Sequence, residues 1–209
     1  MRITKHSHAC VRLDDGDRSL LIDPGIWAAP EVYDGVDDVL LTHEHMDHVD
    51  VEALTALASR RSSLRVHAPA PVVEMLAALG DAVVTVAPGD ALVVGGFDVA
   101  VVGGRHADIY DALPGCANVG YVVDGSVYHP GDALFVPEQE IATLLLPVSG
   151  PWLKLAEAID FARAVSPARA IPVHDALLSP EGLGIVDRWV AMKAETDYAR
   201  LAVGESLDA

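Results

Sequence analysis

The stretch Val39-Leu40-Leu41-Thr42-His43-Glu44-His45-Met46-Asp47-His48-Val49-Asp50 runs from a short apolar segment, through a cluster of histidines and acids, to a helix-capping residue. Val39 to Thr42 predicts a buried strand, and Asp50 followed by Leu54, Leu57 and Ala58 predicts a capped helix. The cluster therefore belongs on a strand-to-helix loop. Within six residues it offers three imidazoles and a carboxylate, the neutral and ionised donors that metal sites bring to one point. On an extended segment, His43 and His45 share a side, while the following turn carries Asp47 and His48 to a neighbouring point. That arrangement suits two metals better than one. A solvated polar loop is the plain alternative.

Outward from this loop, strands alternate with helices. Residues 2–13 and 18–22 predict two strands around the turn Asp14-Asp15-Gly16-Asp17. Leu64 to His67, Pro71 to Leu79 and Ala82 to Val86 continue as strand, helix and strand. Gly95-Gly96 and Asp124-Gly125 then mark two hairpins, 91–94 with 97–102 and 119–123 with 126–128. The last third returns to alternation: strand 143–146, helix 153–165, strand 170–173 and helix 182–194. No Ser-, Pro- or Gly-rich linker divides the chain, so residues 1–209 are expected to form a single α/β domain, two sheets between outer helices. The two halves share a loosely similar order of elements.

Composition bounds the function. The chain has 209 residues, 51% of them hydrophobic and 5% aromatic, enough for a core built on Val, Leu, Ile and Ala. With 14 basic and 31 acidic residues the net charge is −17, which repels nucleic acid unless a basic patch intervenes, and none stands out. Arg60, Arg61 and Arg65 read as a helix end and loop. The start Met1-Arg2-Ile3-Thr4-Lys5-His6 does not read as a secretory signal, and no run approaches a membrane span. Cys10 and Cys116 are far apart and outside any CxxC pair, so reduced thiols and a cytoplasmic location are expected.

Three further candidates each follow a predicted strand, the place where α/β sites form. They are His106 after Val101-Val102-Gly103-Gly104-Arg105, Asp132 in Tyr128-His129-Pro130-Gly131-Asp132, and His174 after Ile171-Pro172-Val173. Their presence counts against the solvated-loop reading. His6, His8 and His129 are equally well explained as buried, hydrogen-bonded side chains, and His67 reads as structural. Trp27, Tyr33, Tyr110 and Trp152 fall in predicted loops and are candidates to line a pocket.

Together, His43-X-His45-X-Asp47-His48 followed by His106, Asp132 and His174 resembles the full ligand set of the metallo-β-lactamase superfamily, over Thr4 to about Leu178. The segments Lys5-His6-Ser7-His8-Ala9-Cys10 and Leu21-Ile22-Asp23-Pro24-Gly25 look like that family's first strands. The resemblance implies a four-layer αββα sandwich. It implies that His43, His45 and His106 hold one metal, that Asp47, His48 and His174 hold the other, and that Asp132 bridges them. A hydroxide bound by the two metals would attack a small ester, lactone, amide or phosphoester, with Asp47 orienting it or moving its proton. Zinc is expected from the imidazole-rich donor set, with manganese or iron as alternatives.

The chain also resembles the broad branch that includes ascorbate-6-phosphate lactonase-like hydrolases, although Ala133 stands where a small hydroxyl residue often follows the aspartate. That particular lactonase activity is not inferred. Two rival classes use the same frame: an iron-bound redox protein and a metal-binding protein without turnover. A small-molecule substrate is expected, with neither a nucleic-acid nor a membrane partner, and the sequence sets no oligomeric state.

Overall fold

The computed structural model describes every residue except Ala112, Pro114 and Ala209. Strands β1 (Arg2–Lys5), β2 (Val11–Asp15), β3 (Arg18–Ile22), β4 (Asp38–Leu40), β5 (Arg65–Ala68) and β6 (Val83–Thr85) fall in one sheet. With them go helices α1 (Val51–Ala58) and α2 (Ala70–Met75). Strands β7 (Ala91–Val94), β8 (Phe97–Gly103), β9 (Val119–Val123), β10 (Val127–His129), β11 (Thr143–Pro147), β12 (Arg169–Val173) and β13 (Asp197–Tyr198) form the second sheet. Helices α3 (Leu155–Val165) and α4 (Pro180–Lys193) belong to this half. A last strand, β14 (Ser206–Asp208), crosses back to pair antiparallel with β1.

The sheet orders are β14-β1-β2-β3-β4-β5-β6 and β13-β12-β11-β10-β9-β8-β7. In each, the strands from one edge to the fourth are antiparallel and those from the fourth to the other edge are parallel. The similar order of elements in the two halves of the sequence is therefore a similar order of pairing in space.

Side-chain alternation sets the layers, because neighbouring residues of a strand face opposite sides. Leu20, Ile22 and Leu40 pack between the sheets with Phe97, Val99, Tyr121, Leu145 and Ile171. Leu21, Val39 and Leu41 turn the other way, onto Leu54, Leu57 and Val72 of the first helical layer. Leu144 and Leu146 do the same in the second sheet, meeting Ala158, Phe161, Val186 and Val190. Three apolar interfaces give the expected αββα sandwich.

Local departures from expectation have local causes. The 2–13 stretch is two strands, broken by a tight turn in which His6 N–H donates to Cys10 O and Cys10 N–H to Ser7 O. The helix expected over 71–79 is α2 followed by a 3-10 turn over Ala77–Ala82, which breaks at Gly80 with φ +56°. Asp50 caps α1 as expected, its carboxylate accepting from Ala53 N–H. Both cysteines are free thiols. No helix among the described residues is long and apolar enough to cross a membrane.

Candidate metal centre

All seven expected ligands come just after strand ends along one seam between the sheets. His43 to His48 follow β4, His106 follows β8, Asp132 follows β10 and His174 follows β12. Backbone bonds tie these loops together: Val119 N–H donates to Thr42 O, Ala107 N–H to Asp132 O, and His174 N–H to His8 O. Gly25 is required where the loop after β3 crosses beneath the cluster, since a Cβ there would lie 2.0 Å from Asp47 O.

The donors fall into two groups, His43, His45, His106 and Asp132 in one, and His8, Asp47, His48 and His174 in the other. Asp132 touches both. Its Oδ1 lies 3.1 Å from His48 Nε2, and its Oδ2 lies 3.0 Å from His174 Nε2, 3.4 Å from His106 Nε2 and 3.8 Å from His43 Nε2.

The far side of several rings is anchored, which decides where each lone pair points. Asp23, fully buried, accepts from Thr42 N–H at 2.8 Å, from the Thr42 hydroxyl at 2.7 Å and from His48 Nδ1–H at 2.7 Å. With its proton committed to Asp23, the Thr42 oxygen accepts from His43 Nδ1–H at 2.9 Å. His106 Nδ1–H donates to Ala107 O. Nε2 then faces the centre in all three rings, without a partner in His48 and His106 and 3.1 Å from His45 Nδ1 in His43, the outer-shell arrangement that fixes metal-binding imidazoles.

These inward atoms fit divalent cations. His48 Nε2, His106 Nε2, His174 Nε2 and Asp132 Oδ1 are buried without a hydrogen-bond partner, although His48 and His174 Nε2 each lie close to 3 Å from an oxygen of Asp132. They approach without the alignment of a hydrogen bond, as atoms do when they aim at a shared third point. A buried polar atom left unpaired costs about 1–3 kcal/mol, so one cation in each group would remove several such costs together.

Electrostatics separates the groups. Burial, then the charge of His48, lowers His43 well below the ordinary imidazole value, and burial with His106 lowers His45. Burial opposes a charge on His174 too, but Asp132 and Asp47 push it up to about 9. His48 is also raised, by Asp132 and Asp23 against its burial. Burial works against ionised Asp132 as well, yet His48 and the adjoining imidazoles hold it well below the usual carboxylate range.

Three roles were not evident in the sequence. His8 accepts Ala176 N–H at Nδ1 (3.3 Å), so its neutral ring carries the proton on Nε2 and donates it to Asp47 Oδ2 at 3.1 Å. Trp152, one of the pocket candidates, is buried, and its indole N–H donates to Asp132 Oδ2 at 2.9 Å. Asp23 is the anchor already described. His129 is structural, donating to Ala9 O and accepting Gly131 N–H. Tyr33 belongs to the core of the first helical layer, its hydroxyl donating to Pro24 O. His6 and His67 lie outside both donor groups.

Known proteins bear on this geometry. Residues 2–174 match the family model described as a beta-lactamase superfamily domain. Protein Rv0786c of Mycobacterium tuberculosis is 36% identical over 204 residues, covering 95% of each chain. A protein of Aeropyrum pernix named UPF0173 metal-dependent hydrolase is 29% identical over 206 residues, covering 83% of this chain and 81% of its own. Among solved structures, the metallo-beta-lactamase fold protein YhfI of Bacillus subtilis superposes with a TM-score of 0.78 at 16% identity, over 99% of this chain and 98% of its own.

Proposed function

The chain belongs to the beta-lactamase superfamily, and from that membership we propose that it is a metal-dependent hydrolase with two divalent cations. His43, His45 and His106 would hold one, Asp47, His48 and His174 the other, and Asp132 would bridge them. The observation that carries this reading is the convergence of unpartnered buried donor atoms from both sheets on two adjoining points. When bound, two such cations supply an acidified water as nucleophile and positive charge for the oxyanion that develops on the substrate. Zinc is the ion that the imidazole-rich set favours.

The chain's own residues supply orientation and proton handling. Asp47 Oδ2 takes the contacts with His8, His174 and His48, which leaves Oδ1 to accept a hydrogen bond from the attacking water. Trp152 fixes Asp132 by donating to its Oδ2, which leaves Oδ1 free to face His48 Nε2. The substrate is a small ester, lactone, amide or phosphoester. Elemental analysis of protein purified from zinc-, manganese- or iron-supplemented cultures should give about two metals per chain. The same preparations should hydrolyse at least one compound of a panel of lactones, esters, amides and phosphodiesters. Protein free of metal and inert toward the whole panel would sink the proposal.

A further inference from the structure

The loops that carry the centre expose large apolar side chains. Ile26 and Trp27 follow the Asp23-Pro24-Gly25 turn, and Ile26 N–H donates to Met46 O, which fixes these residues beside the loop between His45 and Asp47. The Trp27 ring stands edge-on to His8, with centroids 4.9 Å apart. Leu177 follows Ala176, whose N–H holds His8. Tyr110 lies four residues beyond His106 in the same loop. All five are exposed, Met46 to 64% and Tyr110 to 73%. Large apolar side chains set around a buried polar centre are unusual on a free surface and mark a binding rim.

Charge points the same way. Among the described residues, the loops 23–29, 42–50, 103–118, 130–137, 148–154 and 174–179 carry two basic side chains, Arg105 and Lys154. Each is paired with its own acid, Asp108 and Glu157 respectively. The same loops also carry Glu44 and Asp111, while Asp175 is paired with Lys5 and Arg200, and the chain as a whole is at −17. A phosphorylated substrate would find no unpaired cation of the protein at this rim, whereas an uncharged hydrocarbon arm would find five apolar side chains.

We propose that this rim is a substrate subsite for an apolar acyl or alkyl arm, so that the substrates are neutral esters, lactones or amides bearing several carbons beyond the scissile carbonyl. This rests on the hydrolase reading for the word substrate, but not for the binding. Trp27 and Tyr110 set the preference, and the bond cleaved lies over the two donor groups.

The test separates binding from turnover. Methyl ketones from 2-butanone to 2-octanone carry an ester's carbonyl without a leaving group, and their affinity for the zinc-loaded full chain is measurable by calorimetry or ligand-observed NMR. Partial burial of each added CH2 should tighten binding roughly twofold, or on the order of tenfold across the series. Trp27→Ser and Tyr110→Ser should flatten that gradient with zinc content unchanged. Val93→Ser, on the exposed edge strand β7, should leave it intact. In parallel, kcat/KM for p-nitrophenyl hexanoate should exceed that for p-nitrophenyl acetate and for p-nitrophenyl phosphate. A gradient that is absent, or equally steep in all three variants, overturns the subsite, as does a preference for the phosphate. A dimer that Trp27→Ser splits while ketone binding stays unchanged would assign the rim to a second copy and overturn it too. A ketone gradient with no turnover of any ester, lactone, amide or phosphodiester supports the subsite and removes the hydrolase reading; turnover indifferent to chain length does the reverse.

Discussion

His8 is held at both ring nitrogens, by Ala176 N–H on one side and by Asp47 on the other, from a backbone at φ +58°. A non-glycine residue in the left-handed region costs of order 1 kcal/mol, and here that cost brings a proton donor against a candidate ligand. His8→Ala should therefore weaken zinc at the Asp47, His48 and His174 position by about ten- to a hundredfold while leaving the His43, His45 and His106 position unchanged. Zinc titration against a chromophoric chelator reads both steps, and His8→Gln, which keeps an N–H, should recover part of the loss. Equal losses at both positions would refute this role. Asp47→Asn should keep the metal at the His43, His45 and His106 position, weaken the other and, with both positions filled by excess zinc, lower kcat by about a hundredfold or more; a variant with both metals bound and as fast as wild type would remove Asp47 from the chemistry. The protonation of His174 gives a third residue-scale expectation. Its pKa is pushed up to about 9 in the metal-free protein, so below that pH a cation must displace a proton. His48, in the same group, is raised as well, so apparent affinity at the second position should rise by about tenfold or more per pH unit between pH 7 and 9 and keep rising, less steeply, above that. At the first position, where His43 and His45 are lowered, it should change little between pH 7 and 9. Zinc titrations over that range, with proton release followed by a pH indicator, check the sign.

At the scale of elements, close approach does what no single contact does. The turn after β3 must pass within van der Waals contact of the Asp47 backbone, and only hydrogen fits at Gly25. Gly25→Ala should destabilise the fold by about 3 kcal/mol in a denaturant melt, with loss of zinc from the Asp47 position; an unchanged melt would mean the loop yields freely. Most elements were legible because their apolar residues recur with the period of strand or helix. The cluster 43–48 and the single residues His106, Asp132 and His174 were legible because their donor types stand at strand ends. The turn between β1 and β2 was not. Apolar residues run on through Ala9, Cys10 and Val11, and the residue that reverses the chain is His8 rather than a glycine. The shift from α2 to a 3-10 turn at Ala77 carries no signal either, since Ala-Ala-Leu satisfies both periods. Strands β13 and β14 are two and three residues long and largely polar, so only their pairing partners define them. His8, Asp23 and Trp152 owe their roles to contacts 39, 25 and 20 residues distant in sequence, which no local pattern encodes.

Across the whole molecule, the centre joins the two sheets. Each donor group draws on the loop after β4 in one sheet and on a strand end of the other, so a bound cation would act as a cross-link between the halves. Zinc at a hundredfold excess over Kd should add about 2.7 kcal/mol per position, raising Tm by about 5–10 °C for one position filled and about 10–20 °C for both in a domain of this size. Differential scanning calorimetry with zinc and with chelator compares the two states, and coincident transitions would refute the cross-link. The strand β14 has its own consequence. It covers β1 through the pairs Arg2 with Asp208, Ile3 with Leu207 and Thr4 with Ser206, and Gly204 N–H and Glu205 O close the ladder on Lys5. Proteolysis after Val203 would strip that cover and leave a row of unsatisfied backbone donors and acceptors beside the turn that carries His8. Such a row is a template: it would recruit the detached β14 of another copy or the bare β1 of a second clipped chain. Clipping at the end of the chain would thus leave a protein prone to strand exchange and aggregation.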